Sequence, residues 1–150
     1  MTTILVVDDD PDICGLVEFK LSHAGMNVVG EPDGERGLRA AEDLLPDVVL
    51  LDWMMPKLTG IEVCQQLRAG ARTAGIPVML LTAKAQEADM EQGLAAGAND
   101  YIVKPFSPRE LVRRVEALLA GAGDLSGLRP DEQTSAGGSQ RTGTPNNGGE

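Results

Sequence analysis

Three features of the sequence predict a doubly wound α/β fold, a parallel five-stranded sheet covered on both faces by five helices. Short β-rich apolar runs alternate with helix-length amphipathic segments. Several of the runs are almost wholly hydrophobic, as strands buried on both faces must be. The links between them are short, which favours right-handed crossovers over separate domains.

In chain order, the first strand is predicted at 3–7, where Ile4-Leu5-Val6-Val7 is continuously apolar. A helix follows at 11–24, with Asp10 as an N-cap acceptor and Pro11 at the first helical position. The second strand, 27–29, is short and ends in Gly30-Glu31-Pro32, as befits a sheet edge. A helix is expected at 35–45 and a third strand at 47–51. The third helix, 60–69, opens with Thr59-Gly60-Ile61-Glu62, the pattern of a reciprocal capping box. A strand at 78–81, a helix at 86–96 and a strand at 100–103 come next. The last helix, 108–119, carries a second box, Ser107-Pro108-Arg109-Glu110, and an apolar stripe of Leu111, Val112, Val115 and Leu118. Gly25, Gly70 and Gly97 stand where helix C-terminal caps are expected.

The folded domain is expected to occupy residues 2–120. Beyond it, residues 121–150 hold eight of the 18 glycines and no aromatic or β-branched aliphatic residue. Such a stretch buries too little apolar surface to offset its ordering entropy, so a disordered tail rich in Gly, Ser and Thr is predicted. At 42% hydrophobic residues the rest has ample material for a core, and no apolar run approaches the roughly 20 residues that span a bilayer. With no secretory signal visible, a soluble cytoplasmic protein without a membrane partner is expected. Cys14 and Cys64 lie outside any CxxC spacing and read as small buried hydrophobes. The formal net charge of −10 argues against binding a phosphate backbone, so no direct nucleic-acid partner is expected.

In open α/β sheets, ligands bind beyond the carboxyl ends of the strands. Those ends carry Asp8-Asp9-Asp10, Asp52, Thr82 and Lys104. Any one of these is ordinary as a cap or surface charge, but with Asp10 spent on capping, the rest together place three carboxylates, a hydroxyl and an ammonium on one rim. Two carboxylates about 4 Å apart repel by about 4 kcal/mol at an effective dielectric near 20. Asp8, Asp9 and Asp52 therefore need a cation or raised pKa values, and Lys104 supplies a single positive charge. A divalent ion preferring hard oxygen ligands, Mg2+ above all, suits the remainder.

Four segments in order, Ile4-Leu5-Val6-Val7-Asp8-Asp9, Leu50-Leu51-Asp52-Trp53-Met54-Met55-Pro56, Leu81-Thr82-Ala83 and Gly97-Ala98-Asn99-Asp100-Tyr101-Ile102-Val103-Lys104-Pro105-Phe106, resemble the receiver domain of two-component response regulators over about residues 3–120. The resemblance implies a flavodoxin-like sheet in the order 2-1-3-4-5. It implies Asp52 as phospho-acceptor, with Mg2+ held by Asp8, Asp9, Asp52 and the Met54 carbonyl. Lys104 and Thr82 would contact the phosphoryl group, Tyr101 would relay the signal, and Lys104–Pro105 would be cis. Met54 and Lys84, two residues after the acceptor and after Thr82, would tune phosphoryl loss, with slow to moderate self-dephosphorylation expected. The implied output face, the fourth helix, fifth strand and fifth helix, carries Met90, Asp100, Glu110 and Arg114. Met90 stands where a basic partner for Glu110 is usual, and Asn99 replaces a frequent acid, so a monomer with at most weak phosphorylation-dependent dimerisation is expected.

The function expected is that of a stand-alone switch. It would be phosphorylated by a histidine kinase or phosphotransfer protein and act on a downstream protein. The lone histidine, His23, reads as a surface residue, so the donor is another protein. Two alternatives are a Mg2+-dependent aspartyl-phosphate phosphatase and an unphosphorylated interaction module. The phosphatase would want an acid where Met54 stands. Flavin binding is opposed by the acidic first loop, where a phosphate cradle needs donors.

Overall fold

The computed structural model describes residues 1–83 and 87–121. The expectations for Lys84 and for the tail after residue 121 lie outside the described residues. Ten elements alternate along the chain: β1 (Thr3–Val7), α1 (Pro11–His23), β2 (Asn27–Glu31), α2 (Gly34–Leu44), β3 (Val48–Asp52), α3 (Gly60–Ala69), β4 (Val78–Thr82), α4 (Glu87–Ala95), β5 (Asp100–Val103) and α5 (Pro108–Leu119). All four strand pairings are parallel, and the sheet order is β2-β1-β3-β4-β5. This is the predicted architecture. β2 runs two residues beyond its predicted end, through Gly30 and Glu31, because β1 stays in register with it to Val7. β3 and β4 each carry their candidate site residue, Asp52 and Thr82, inside the strand rather than just past it.

The period-2 alternation of the strands sorts the core into two layers. Leu5, Val7, Val49, Leu51 and Leu80 face one side and pack with Ala41 of α2 and with Ile61, Cys64 and Leu67 of α3. Ile4, Val6, Leu50, Met79, Leu81 and Ile102 face the other and meet Val17 and Leu21 of α1 and Leu111, Val115 and Leu118 of α5. Every residue of β3 and β4 is buried, the expected property of central parallel strands.

Asp10 accepts from the Asp12 amide as predicted, at 2.9 Å. The Thr59 box is complete: the Thr59 hydroxyl accepts from the Glu62 amide at 3.2 Å, and the Glu62 carboxylate accepts from the Thr59 amide at 2.9 Å. The Ser107 box is only half made. Ser107 accepts from the Glu110 amide at 3.0 Å, but the Glu110 carboxylate turns to Arg114 at 3.1 Å. Gly25 and Gly97 adopt positive φ, at 91° and 108°, as caps should, whereas Gly70 is extended at φ −83°. What requires glycine at position 70 is space: a Cβ there would lie 2.5 Å from the Thr73 hydroxyl.

Candidate functional site

The sheet brings the predicted rim together because its central strands end side by side. Asp52 pairs with Leu81 and Thr82 with Val103, so both sit at the carboxyl edge. Three backbone bonds fix the residues around them. The Asp8 amide donates to the Glu31 carbonyl at 3.1 Å, that of Trp53 to Leu81 at 3.0 Å and that of Lys104 to Thr82 at 2.7 Å. Lys104 is followed by a cis peptide bond to Pro105, as the resemblance implied.

Lys104 bridges two acids. Its ammonium donates to Asp8 Oδ2 at 2.9 Å and to Asp52 Oδ1 at 3.1 Å. The link to Asp8 was not anticipated from the sequence, where residues 96 positions apart carry no mutual signal. Asp8 is fully engaged: its other oxygen accepts from the Asp10 amide at 2.9 Å, and its side chain is out of contact with solvent. Asp9 is exposed and Asp52 buried. One carboxylate oxygen from each of Asp8, Asp9 and Asp52 lies within 4.8 Å of the others.

The electrostatics follow from this crowding. Burial, then the Asp8 charge, pushes the Asp52 carboxyl up to about 6 against the pull of Lys104. Burial works against the Lys104 ammonium, but bonds to Asp8 and Asp52 outweigh it and hold its pKa above the usual lysine value. Three hard-oxygen donors, one of them kept from ionising freely, fit a divalent cation such as Mg2+, whose charge would relieve the repulsion that Lys104 leaves. An open cleft of about 490 Å3, lined by Asp8, Asp9, Pro11, Cys14, Gly15, Glu18, Gly30 and Pro32, adjoins the acids.

The remaining predicted residues divide. Thr82 is buried and Tyr101 half-buried, and both line one crevice with Trp53, Leu80 and Met90. The Met54 side chain is 61% exposed at the rim. On the expected output face, Arg114 is committed within the chain. It donates to Asp100 at 3.0 Å, to the Tyr101 carbonyl at 2.8 Å and to Glu110 at 3.1 Å. Burial raises the Asp100 carboxyl, opposed by the Tyr101 amide and by Arg114. Asn99, noted only as a missing acid, is structural: its Oδ1 accepts from the Val78 amide and from Arg68, both at 2.8 Å. Cys14 corrects the reading of both cysteines as buried hydrophobes. It is partly exposed and donates to the Asp8 carbonyl at 3.3 Å, and burial, with the Asp8 charge, raises its thiol to about 11.

The geometry agrees with the comparisons. Residues 4–116 match the response regulator receiver domain family. The DNA-binding dual master transcriptional regulator RpaA of Synechocystis is 49% identical over 119 residues, covering 79% of this chain and 49% of that protein. The alkaline phosphatase synthesis transcriptional regulatory protein PhoP of Bacillus subtilis is 49% identical over 116 residues, covering 77% and 48%. The receiver domain of Francisella response regulator 1452 superposes with a TM-score of 0.76 at 34% identity, covering 81% of this chain and 98% of that one. The chain thus spans about half the length of the curated relatives it matches. The expectation of no nucleic-acid partner, and with it a partner set limited to a kinase and a downstream protein, is overturned by relatives named as DNA-binding regulators. Net charge summed over half the length of such proteins does not bound what a whole one binds. Among the described residues no helix is long and apolar enough to cross a membrane. Family match, fold and the clustered acids at the strand ends agree, and the chain belongs to the response regulator receiver domain family, whose members are signalling switches.

Proposed function

We propose that Asp52 is the phospho-acceptor of a two-component phosphorelay, receiving its phosphoryl group from a histidine of a sensor kinase or phosphotransfer protein. The observation that carries this reading is the Lys104 ammonium bridging Asp8 and Asp52 beside the exposed Asp9. A carboxylate oxygen of Asp52 bonds to phosphorus, the donor's P–N bond breaks, and the imidazole leaves with its electron pair and takes up a proton. Bound Mg2+ would neutralise charge on the phosphoryl oxygens. Asp9, Asp52 and the Met54 carbonyl are its proposed ligands. Asp8, with both oxygens already bonded, acts directly or through water.

Lys104 is proposed to hold the acceptor oxygen before transfer and the phosphoryl group after it, and Thr82 to donate its hydroxyl to that group. Tyr101, sharing a crevice with Thr82, relays the change toward α4, β5 and α5, the face carrying Met90, Asp100, Glu110 and Arg114. Met54 tunes phosphoryl loss: an apolar side chain beside the acceptor offers the attacking water no acceptor, so self-dephosphorylation is slow to moderate. The folded unit is proposed to run over residues 2–120. For the output we infer control of transcription, supported by the relatives named as DNA-binding regulators. Absence of any promoter DNA cross-linked to the protein or its complexes in cells, with Asp52 phosphorylated, would overturn that inference.

Incubation with acetyl phosphate and Mg2+, followed by mass spectrometry, tests the acceptor. One phosphoryl group is expected on the wild type and none on Asp52→Asn. Steady release of inorganic phosphate over many turnovers would instead indicate a phosphatase, and no modification at all would leave an interaction module. Decay of the phosphorylated form after donor removal should outlast seconds; a half-life of seconds would refute the role given to Met54.

A further inference from the structure

Trp53 is the only tryptophan and directly follows Asp52. Successive side chains of a strand point to opposite faces. The Asp52 carboxylate joins Lys104, whereas the indole continues the series Val49 and Leu51 into the layer shared with α2 and α3, where it is buried. Its backbone is gripped from two sides. The Trp53 amide donates to Leu81 at 3.0 Å, and the Trp53 carbonyl accepts from the Gly60 amide at 2.9 Å. A Cβ on Gly60 would lie 2.4 Å from the Asp52 carbonyl oxygen and 3.1 Å from the Trp53 Cα, so α3 starts hard against this segment.

The far edge of the indole reaches α4. A Cβ added at Gly93 would stand 2.7 Å from Leu80 Cδ1, 3.5 Å from Trp53 Cζ3 and 3.9 Å from Cη2. The helix therefore rests on the ring and on Leu80 with no side chain of its own between. Thr82, Tyr101, Met90 and Leu94 line the same crevice, which has no room for a water-sized sphere.

We propose that Trp53 is a positioning residue, the seat of α4, and that it works with Tyr101 in linking the state of Asp52 to that helix. A crevice packed this tightly cannot take up a displaced Thr82 or Tyr101 without moving a wall. Its β3, β4 and β5 walls are held by strand hydrogen bonds, and α4 is the wall that is not. The linking role rests on the phospho-acceptor reading; the seating role does not.

Hydrogen exchange of the α4 amides in the full chain tests both roles, with Mg2+ and with or without beryllium fluoride as a stand-in for the phosphoryl group. Wild type, Trp53→Leu, Trp53→Phe and Gly93→Leu are compared. Without beryllium fluoride, α4 should exchange about tenfold faster in Trp53→Leu and Gly93→Leu than in wild type. The indole emission of Gly93→Leu should also shift to the red as water reaches the ring. Beryllium fluoride should change α4 exchange in wild type, fail to do so in Trp53→Leu, and regain its effect in Trp53→Phe. Native protection of β1 and β3 shows that a variant is folded; should Trp53→Leu not fold, Gly93→Leu and Trp53→Phe decide. Wild-type exchange of α4 in Gly93→Leu overturns the seat, and a full response in Trp53→Leu, or none in Trp53→Phe, overturns the link. If beryllium fluoride and acetyl phosphate both leave wild type unchanged, the acceptor reading and the link fall together, while basal exchange still decides the seat.

Discussion

Asp52 carries a cost that the proposed phospho-acceptor role explains. Its carboxyl titrates near 6 rather than 3.8 because it is buried and faces Asp8. A carboxyl whose folded pKa lies above its unfolded value binds its proton more tightly in the folded state. Its contribution to stability is thus greatest at low pH, declines as pH rises from about 4 to about 6, and is level above that. Two pKa units, already net of the attraction of Lys104, set a ceiling of about 3 kcal/mol, and solvent screening at the rim reduces it. Asp52→Asn should therefore stabilise the metal-free protein by about 1–2 kcal/mol at pH 7.5, and hardly at all at pH 4. Urea denaturation in chelator at the two pH values checks this. Adding Mg2+ should raise the wild-type midpoint and leave the variant nearly unmoved. The residues of this site were readable one by one, since each stands at a strand end. The bridge from Lys104 to Asp8 was not, because it joins residues 96 positions apart in the chain.

At the scale of elements, local signals read well wherever both partners lie within one turn. Asp10 and the Thr59–Glu62 box were of this kind. The Ser107 box failed by half because α5 places Arg114 one turn beyond Glu110, and a guanidinium outcompetes an exposed amide for a carboxylate. Arg68 carries no such local signal. From the end of α3 it donates to Gly97 at 2.9 Å, Ala74 at 3.0 Å, Ile76 at 2.7 Å and Asn99 at 2.8 Å, tying α3 to the loops that precede β4 and β5. Arg68→Ala should cost about 3 kcal/mol, since it leaves partly buried carbonyls unpaired. Arg68→Lys should recover little, because an ammonium cannot span the fork. Chemical denaturation of both variants gives the measurement; recovery by lysine would show that charge, not geometry, matters there.

For the whole molecule, the proposed end of the folded unit makes a simple prediction. A chain cut after Gly121 should match the 150-residue protein in unfolding free energy to within about 0.5 kcal/mol and accept phosphoryl groups at the same rate. A larger loss of stability would place residues beyond 121 in the folded unit. The partner expectation failed at this scale too. It treated a net charge of −10 as a property of the whole protein, whereas the chain spans about half the length of its curated relatives. Charge is additive along a chain, so a sum over part of it constrains only that part.

The sequence alone determined the alternation of ten elements, the two-sided burial of the central strands and the residues at their carboxyl ends. These are written in short-range periodicity, which the backbone obeys locally. Only the tertiary structure decided that Asp8 uses both its oxygens within the chain, that Arg68 clamps two loops, and that Gly93 lets α4 rest on the ring of Trp53. Each of these depends on distances between residues far apart in the chain, and such distances exist only once the sheet has set its strand order and register.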